Sequence, residues 1–479
     1  MNDDRCFLGK HIVCFPVIPL RYKQYQNNPL NHIASMRILR KRVGGTSHHT
    51  TTTTKDIIYL DYNATSKPYE CVIEVVCDVL RNFYGNPSSK SCLLGIHARE
   101  TLENCRQQIC QLLHIPHPMS QLIFTSCATE SNNFILRGVV SHRRKQIDLP
   151  HVISTNFEHP SIKSTLDDMV AHDLCSVTLF KVKETSGVID IAKLKRAIVP
   201  NKTVLVAIIL ANNEIGVVQQ DREIVDAVKS VDKKVHIHFD LTQMVGRYDL
   251  DFVKMGMDSA SFSGHKFGAL PGIGGAYVKD RNKIDSFLTG GLQEGCKRAG
   301  TENIAGIAAM ATALSHSMDH LETNRKKIEG NRNHLQALFV KAFPKHSKHK
   351  CTINGLPPQS TSDKRPTYRK RLYNTLSITF DFIDNLRVLR KLCQKGVCVN
   401  VGPACSKQTG AKSLRAIGLT PKQESGTLRI SLGPEISRSD INRAFEIIRE
   451  IIEQEIPSNN LRPPQRNTTP RRRSTTTTR

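Results

Sequence analysis

A chain of 479 residues with 68 Lys and Arg against 43 Asp and Glu carries a formal net charge of +25 and has room for two or three domains. Its longest unbroken apolar run, Val204 to Ala211, falls far short of the ~20 residues of a membrane helix, which excludes an integral helical membrane protein. Fourteen Cys without one CxxC exclude a disulfide scaffold and a zinc ribbon, and a reduced intracellular compartment is expected.

The charge is concentrated. Residues 1–55 hold nine Lys/Arg and two acids, 341–371 nine and one, and 458–479 six Arg and no acid, so the rest of the chain is nearly neutral. Basic tails and a basic loop argue against a folded nucleic-acid surface; any nucleic-acid contact is expected only through the tails. The first 55 residues run into a Thr-rich stretch at His48–Thr54 and the chain closes on an Arg/Thr-rich tail, and neither composition can bury apolar surface. The acid-free stretch 5–54 has the composition of a mitochondrial transit peptide, with a short basic amphipathic helix at Ile33–Val43, whereas Asp3 and Asp4 stand against it.

From Asp56 to Glu455 apolar strands alternate with amphipathic helices. Strands are expected at Gln121–Thr125, His151–Thr155, Val204–Leu210, Val235–Phe239, Asp258–Ser263 and Gly274–Val278, with helices between most of them, for example Ser131–Val140 and Ile224–Ser230. This is the pattern of βαβ units in a mainly parallel sheet, an α/β fold. A long helical pattern over Ala311–Phe343 leads into a second domain. It is followed by a basic, Pro- and Ser-containing insertion at 345–373, strands at Asn374–Phe380 and Thr427–Leu432, and a closing helix at Asp440–Glu455. The expected organisation is a basic extension (1–55), a large domain (56–320), a small α+β domain (321–457) and an Arg/Thr-rich tail (458–479).

Ligands of open parallel sheets gather at the carboxyl ends of the strands, and that is where the polar motifs fall. The first strand runs into Ser126-Cys127-Ala128-Thr129-Glu130, an anion-binding helix start or an ordinary Ser/Thr cap. The next ends at Phe157-Glu158-His159, where an imidazole can stack on a flat cofactor, act as a base, or simply lie at the surface. Ala211-Asn212-Asn213-Glu214 offers amides to a ring oxygen or a carboxylate, or forms a polar turn. Asp240, with Gln243 three residues on, can hold a cationic ring nitrogen or cap a helix. Lys266 closes an apolar strand between Ser263, His265 and a run of four glycines; it is a Schiff-base amine or a snorkelling surface side chain. Cys405 sits in a small-residue turn, Gly402-Pro403-Ala404-Cys405-Ser406, as a reactive thiol would, although the default for any one cysteine is an inert buried thiol. Five polar motifs at successive strand ends together suggest a phosphorylated, aromatic, cationic cofactor held through a lysine; pyridoxal 5'-phosphate (PLP) fits.

The sequence resembles the PLP-dependent cysteine desulfurase and selenocysteine lyase family, a branch of the class V aminotransferases. The resemblance covers about 56–455 and rests on YLDYNAT (59–65), YGNPSS (84–89), FTSCATESNN (124–133), FEHPSI (157–162), LANNEIGVVQ (210–219), HFDLTQMVG (238–246), SFSGHKFGALPGIGGAYV (261–278), RAGTENIAGI (298–307), GPACS (402–406) and LRISLG (428–433). It implies the PLP-dependent transferase type I fold, with a mainly parallel seven-stranded-type sheet in the large domain and a smaller α+β C-terminal domain. It further implies that Lys266 forms the Schiff base with PLP, Asp240 binds the pyridinium nitrogen and Gln243 the phenolic oxygen. His159 would stack on the ring and assist proton transfer. Ala128, Thr129, Ser263 and His265 would hold the phosphate, Thr301 would add a phosphate contact from the partner subunit of a homodimer, and Asn213 and Arg429 would grip the substrate carboxylate. Cys405 matches the nucleophile that accepts sulfur as a persulfide.

The reaction implied is removal of selenium or sulfur from L-selenocysteine or L-cysteine to give L-alanine. DYNAT, LANNE and RAGTEN lean toward the selenocysteine lyase side. The rivals are a cysteine desulfurase supplying sulfur for iron–sulfur clusters or tRNA thiolation through an acceptor protein, and a catalytically idle binding protein. Against the idle reading, Lys266, Asp240, His159 and Cys405 are all present. Departures from the pattern are Leu241 where Ala is commoner, Pro403 where many desulfurases have Ser, a slightly shorter loop from Cys405 to Leu414, and no match to the scaffold-docking tail. The cytosol is the expected compartment, the mitochondrion the alternative. No metal is expected.

Overall fold

The computed structural model describes residues 57–355, 370–401 and 412–456. The basic extension with its Ile33–Val43 segment, the centre of the insertion, the turn carrying Cys405 and the Arg/Thr-rich tail lie outside the described residues.

The chain enters through β1 (Ile58–Tyr59) and the helices Glu70–Asn82 and Leu93–Leu112. Strands and helices then alternate: β2 (Leu122–Thr125), helix Ala128–Arg144, β3 (His151–Thr155), helix Pro160–Ala171, β4 (Ser176–Phe180), helix Ile191–Ala197, β5 (Thr203–Ile209), helix Asp221–Val231, β6 (His236–Asp240), β7 (Ser259–Ser263) and β8 (Gly274–Val278). These strands form one seven-stranded sheet in the order β2-β8-β7-β6-β5-β3-β4. Only β8 runs against its neighbours. The cause is visible in β5: all seven of its residues are buried, the unbroken apolar run of a strand covered by helices on both faces. The flanking helices contribute one apolar stripe each, as Asp221–Val231 does with Ile224, Val225, Ala227 and Val228.

Helices Ile304–Asp319 and Leu321–Ala342 lead to β9 (Cys351–Ile353), β10 (Thr375–Phe380), helix Asn385–Gln394, β11 (Val397–Cys398), β12 (Thr427–Ser431) and the closing helix Arg438–Glu453. A second, antiparallel sheet has the order β12-β10-β9, and β1 pairs with β11 in parallel.

The architecture is therefore the expected α/β arrangement with a smaller α+β C-terminal part, and four details differ from the sequence expectation. The helical pattern over Ala311–Phe343 is two helices, broken at His320 where ψ rises to 9°. β4 was not expected; it is a sheet-edge strand whose first four residues are half-buried, so Ser and Thr dilute its apolar pattern. The basic insertion is narrower than 345–373, because Cys351–Ile353 forms β9 and Arg371, Leu372 and Tyr373 are buried. The first residues of the expected large domain pair instead with the C-terminal part through β1 and β11.

In the large sheet, Ile209 on β5 faces Asp240 on β6, and Asp240 faces Ser261 on β7. This register brings the carboxyl ends of β5, β6 and β7 level, with β2 and β3 running the same way on either side.

Candidate active site

At that end of the sheet lies a cleft of about 250 Å³ lined by Cys127, Ala128, Thr129, His159, Ser161, Ile209, Asn213, Asp240, Thr242, Gln243, Ser263, His265 and Lys266. Every one of the five strand-end motifs contributes to it.

One end is built for an anion. The 17-residue helix Ala128–Arg144 starts there, and the Cys127 side chain does not cap it, so its first N–H groups and positive dipole end face the cleft. Gly274 permits this approach, since a Cβ there would sit 2.7 Å from the Cys127 carbonyl carbon. Ser263 closes β7 beside it. Its hydroxyl is buried and has no partner among the described residues, and the same holds for the Thr242 hydroxyl. A buried hydroxyl without a partner is costly unless a ligand engages it. The His265 ring lies next to Ser263, with Nδ1 3.2 Å from Thr65 Oγ1. Burial, with the charges of Lys266 and Arg247, lowers its pKa to about 4, so it is neutral at pH 7.

The middle is organised around Asp240, the last residue of β6. Its Oδ2 accepts from Asn132 Nδ2 at 3.1 Å and its Oδ1 from the Thr242 N–H at 2.9 Å. Asn132 is fully committed: Nδ2 also donates to Ser161 Oγ (2.8 Å), while Oδ1 accepts from Ser261 Oγ (2.6 Å) and lies 2.9 Å from His238 Nε2. Burial pushes His238 down to about 3, so it is a neutral member of this chain of bonds. His159 follows from the same network. The Ser161 N–H donates to its Nδ1 at 3.1 Å and Ser161 Oγ lies 2.8 Å away, so Nδ1 is an acceptor and the neutral ring carries its proton on Nε2. Burial lowers its pKa, Lys266 adds to this, and Asp240 opposes both. Glu158 beside it accepts from Thr155 Oγ1 (2.5 Å) and the Ile209 N–H (2.6 Å), and burial pushes its carboxyl up to about 8.

Lys266 enters on the single 3-10 turn Gly264–Lys266 that follows β7. Its Nζ donates to the carbonyls of Asn63 (2.9 Å) and Ala64 (2.7 Å). Burial is the main cause of a pKa lowered to about 8; Arg247 and Arg429 add to it, and Asp240 and Asp61 oppose it. At pH 7 roughly a tenth of such an amine is neutral, against roughly three in ten thousand at the ordinary value. A buried amine of this kind is a nucleophile and a base.

Nine of the expected residues share this cleft: Ala128, Thr129, His159, Asn213, Asp240, Gln243, Ser263, His265 and Lys266. Arg429, on β12, stands just behind: Nη1 donates to the Asn213 carbonyl at 3.3 Å and Nη2 to Asp61 Oδ1 at 2.6 Å, while its buried Nε has no partner among the described residues. Thr301 is not part of the cleft; it is exposed in the segment 298–303. Cys405 lies outside the described residues. Leu241, which stands where Ala is commoner, is wholly buried in the hydrophobic core and does not line the cleft. Sequence reasoning gave no role to Asn132, Ser161, Asn63 or Arg247. The first three stand in the quoted motifs, and only their long-range partners reveal what they do.

A match to the aminotransferase class-V family spans residues 58–444. The cysteine desulfurase of Nostoc sp. (strain PCC 7120) is 33% identical over 400 residues, covering 83% of this chain and 93% of that protein. The cysteine desulfurase IscS of Clostridium botulinum (strain Hall) is 30% identical over 399 residues, covering 83% and 94%. Among solved structures, a NifS-like protein superposes with a TM-score of 0.74 at 29% identity, covering 83% of this chain and all of that one; the NifS-like protein of Rickettsia africae gives 0.69 at 28%, covering 83% and 99%. The chain belongs to the aminotransferase class-V family and is a PLP-dependent enzyme of the type I fold. The residues present fit that cofactor: the partnerless Ser263 hydroxyl and the uncapped helix start suit its phosphate, Asp240 its ring nitrogen and the Lys266 amine its aldehyde.

Proposed function

We propose that this enzyme is a cysteine desulfurase that removes sulfur from L-cysteine, or selenium from L-selenocysteine, and releases L-alanine. The observation that carries the reading is one cleft in which a partly neutral lysine, a buried aspartate and an anion-binding helix start converge. The relatives bear the desulfurase name, which puts L-cysteine first; a preference for selenocysteine is the alternative substrate reading of the same site.

When bound, PLP supplies an electron sink conjugated to the substrate α-carbon. In this reading Lys266 would hold the cofactor aldehyde and, as a free amine, would take the α-proton of the substrate on Nζ. Asp240 would pair with the ring nitrogen, Gln243 would bond the phenolic oxygen, and His159 would stack on the ring and present Nε2–H. Ala128, Thr129, Ser263 and His265 hold the phosphate, and Thr301 reaches the partner subunit's phosphate in a homodimer. The exposure of Thr301 supports that arrangement, because it leaves the side chain free of its own subunit's cleft. The carboxylate of the substrate goes to Asn213 and Arg429, whose partnerless Nε supports this role. Cys405 as thiolate attacks the substrate sulfur: the carbon–sulfur bond breaks, its electron pair stays with the carbon skeleton, and a persulfide forms on Cys405 for transfer to an acceptor protein. We place the enzyme in the cytosol, with the mitochondrion as the alternative, to be decided by cell fractionation.

The test is alanine formation from L-cysteine and L-selenocysteine, side by side, with wild type and Cys405→Ala. Loss of cysteine turnover in the variant, with the visible band of bound PLP retained, is expected; part of the selenocysteine turnover can survive, since selenium is the better leaving group. Full cysteine activity of Cys405→Ala overturns the persulfide role. Turnover confined to selenocysteine in the wild type moves the substrate to that side.

A further inference from the structure

Arg247 is a buried guanidinium whose four bonds all go to neutral acceptors. Nη1 donates to Gln243 Oε1 (2.6 Å) and Asn63 Oδ1 (3.1 Å), and Nη2 to the carbonyls of Tyr62 (3.0 Å) and Lys266 (3.1 Å). Among the described residues no carboxylate pairs with it. A buried arginine without a counter-ion is expensive, so its contacts need a reason. Gly246 makes them possible: its φ is +75°, and a Cβ there would sit 2.4 Å from Phe267 Cβ, so only glycine lets the turn after β6 close onto the turn that carries Lys266.

We propose that Arg247 is a positioning residue that acts on the cofactor through two neighbours, locking the Gln243 amide and clamping the Lys266 turn with a fixed positive charge. The inference rests on the reading of this cleft as the PLP site. A guanidinium has no acceptor, so the Gln243 atom it meets is the carbonyl oxygen. The Gln243 amino group is therefore the other end; it donates one hydrogen to the Asn63 carbonyl at 3.1 Å and has a second to give, and the residue lines the cleft. The side chain then offers a donor, and not a repelling carbonyl, to an anionic ring oxygen. The same guanidinium fixes Asn63 Oδ1, so that Asn63 Nδ2 donates to the Asn213 carbonyl at 3.1 Å. Its charge works alongside. The charged groups facing Lys266 are Arg247 and Arg429, which disfavour its ammonium form, and Asp240 and Asp61, which favour it. The His159 and His265 rings are held toward the neutral form mainly by burial.

The experiment is a pH titration of the visible band of PLP bound to wild type, Arg247→Met and Arg247→Lys, with circular dichroism and melting on the same samples. Losing both the charge and the amide lock removes stabilisation of the deprotonated, anionic side of that titration, so R247M should move its midpoint up by about one pH unit. R247K keeps a charge but cannot hold Gln243, Tyr62 and Lys266 together; it should move the midpoint up by about half a unit. If R247M does not fold, R247K alone decides. A folded variant that melts earlier but titrates at the wild-type midpoint overturns the proposal and leaves Arg247 a purely structural residue. A wild type that binds no PLP overturns the reading of the cleft itself.

Discussion

Lys266 illustrates how a functional residue burdens the fold that carries it. Its amine is buried beside two guanidinium groups and its pKa falls to about 8, so the folded state disfavours the charged form that the unfolded chain keeps up to the ordinary lysine value near 10.5. Between about pH 8 and 10.5 the unfolded state binds more protons, so stability rises with pH across that window; below pH 8 both states are protonated and the penalty is complete. Lys266→Met in the cofactor-free protein should therefore melt higher below pH 8, by about 1–3 kcal/mol, and the advantage should fade by pH 10. Thermal melts at pH 7, 8, 9 and 10 check this, and a constant difference between the two proteins contradicts it. In the loaded protein Lys266→Ala should show no lysine-dependent visible band, read by absorbance after gel filtration. Asn132 shows why part of the site escapes a sequence. Its partners His238 and Ser261 are 106 and 129 positions away, so no spacing rule links them, whereas Lys266 announces itself as a lysine at the end of an apolar strand.

At the scale of elements, the sheet was readable because each central strand is an apolar run that stops at a polar motif. β3 and β8 fall at the expected residues, and β5, β6 and β7 within one or two positions of them. β4 escaped because its first four residues are only half-buried at the sheet edge, and β1 because two residues carry no period. The close approach of β8 to the helix Ala128–Arg144 was also hidden: the four glycines after Lys266 were legible, but not that Gly274 lies against the Cys127 backbone. Replacing Gly274 by Val drives a branched side chain into that backbone. The expected result is a loss of about 1–3 kcal/mol by denaturant unfolding, together with weaker PLP binding by fluorescence titration, because the helix start must shift. Unchanged PLP affinity in a destabilised variant contradicts the link between that contact and the anion site.

At the scale of the whole molecule, the proposal that Thr301 contacts a partner's phosphate would make a homodimer the functional unit. Dilution should lower specific activity and PLP retention together, and Thr301→Ala should weaken PLP binding without altering the mass of the dimer in light scattering. A fully active monomer contradicts that role. PLP should also raise the melting temperature, since a ligand at a hundred times its Kd adds about 2.7 kcal/mol. The pairing of β1 with β11 has a consequence in time. Ile58 leaves the ribosome early, but its strand partner Val397 follows roughly 340 residues later. At ordinary elongation rates the delay is on the order of 20–70 s. Asn63 and Ala64, whose carbonyls receive the Lys266 amine, hang from that first strand. The large sheet can assemble co-translationally while the floor under its lysine stays unfastened, so the cofactor site becomes whole only when synthesis is nearly finished.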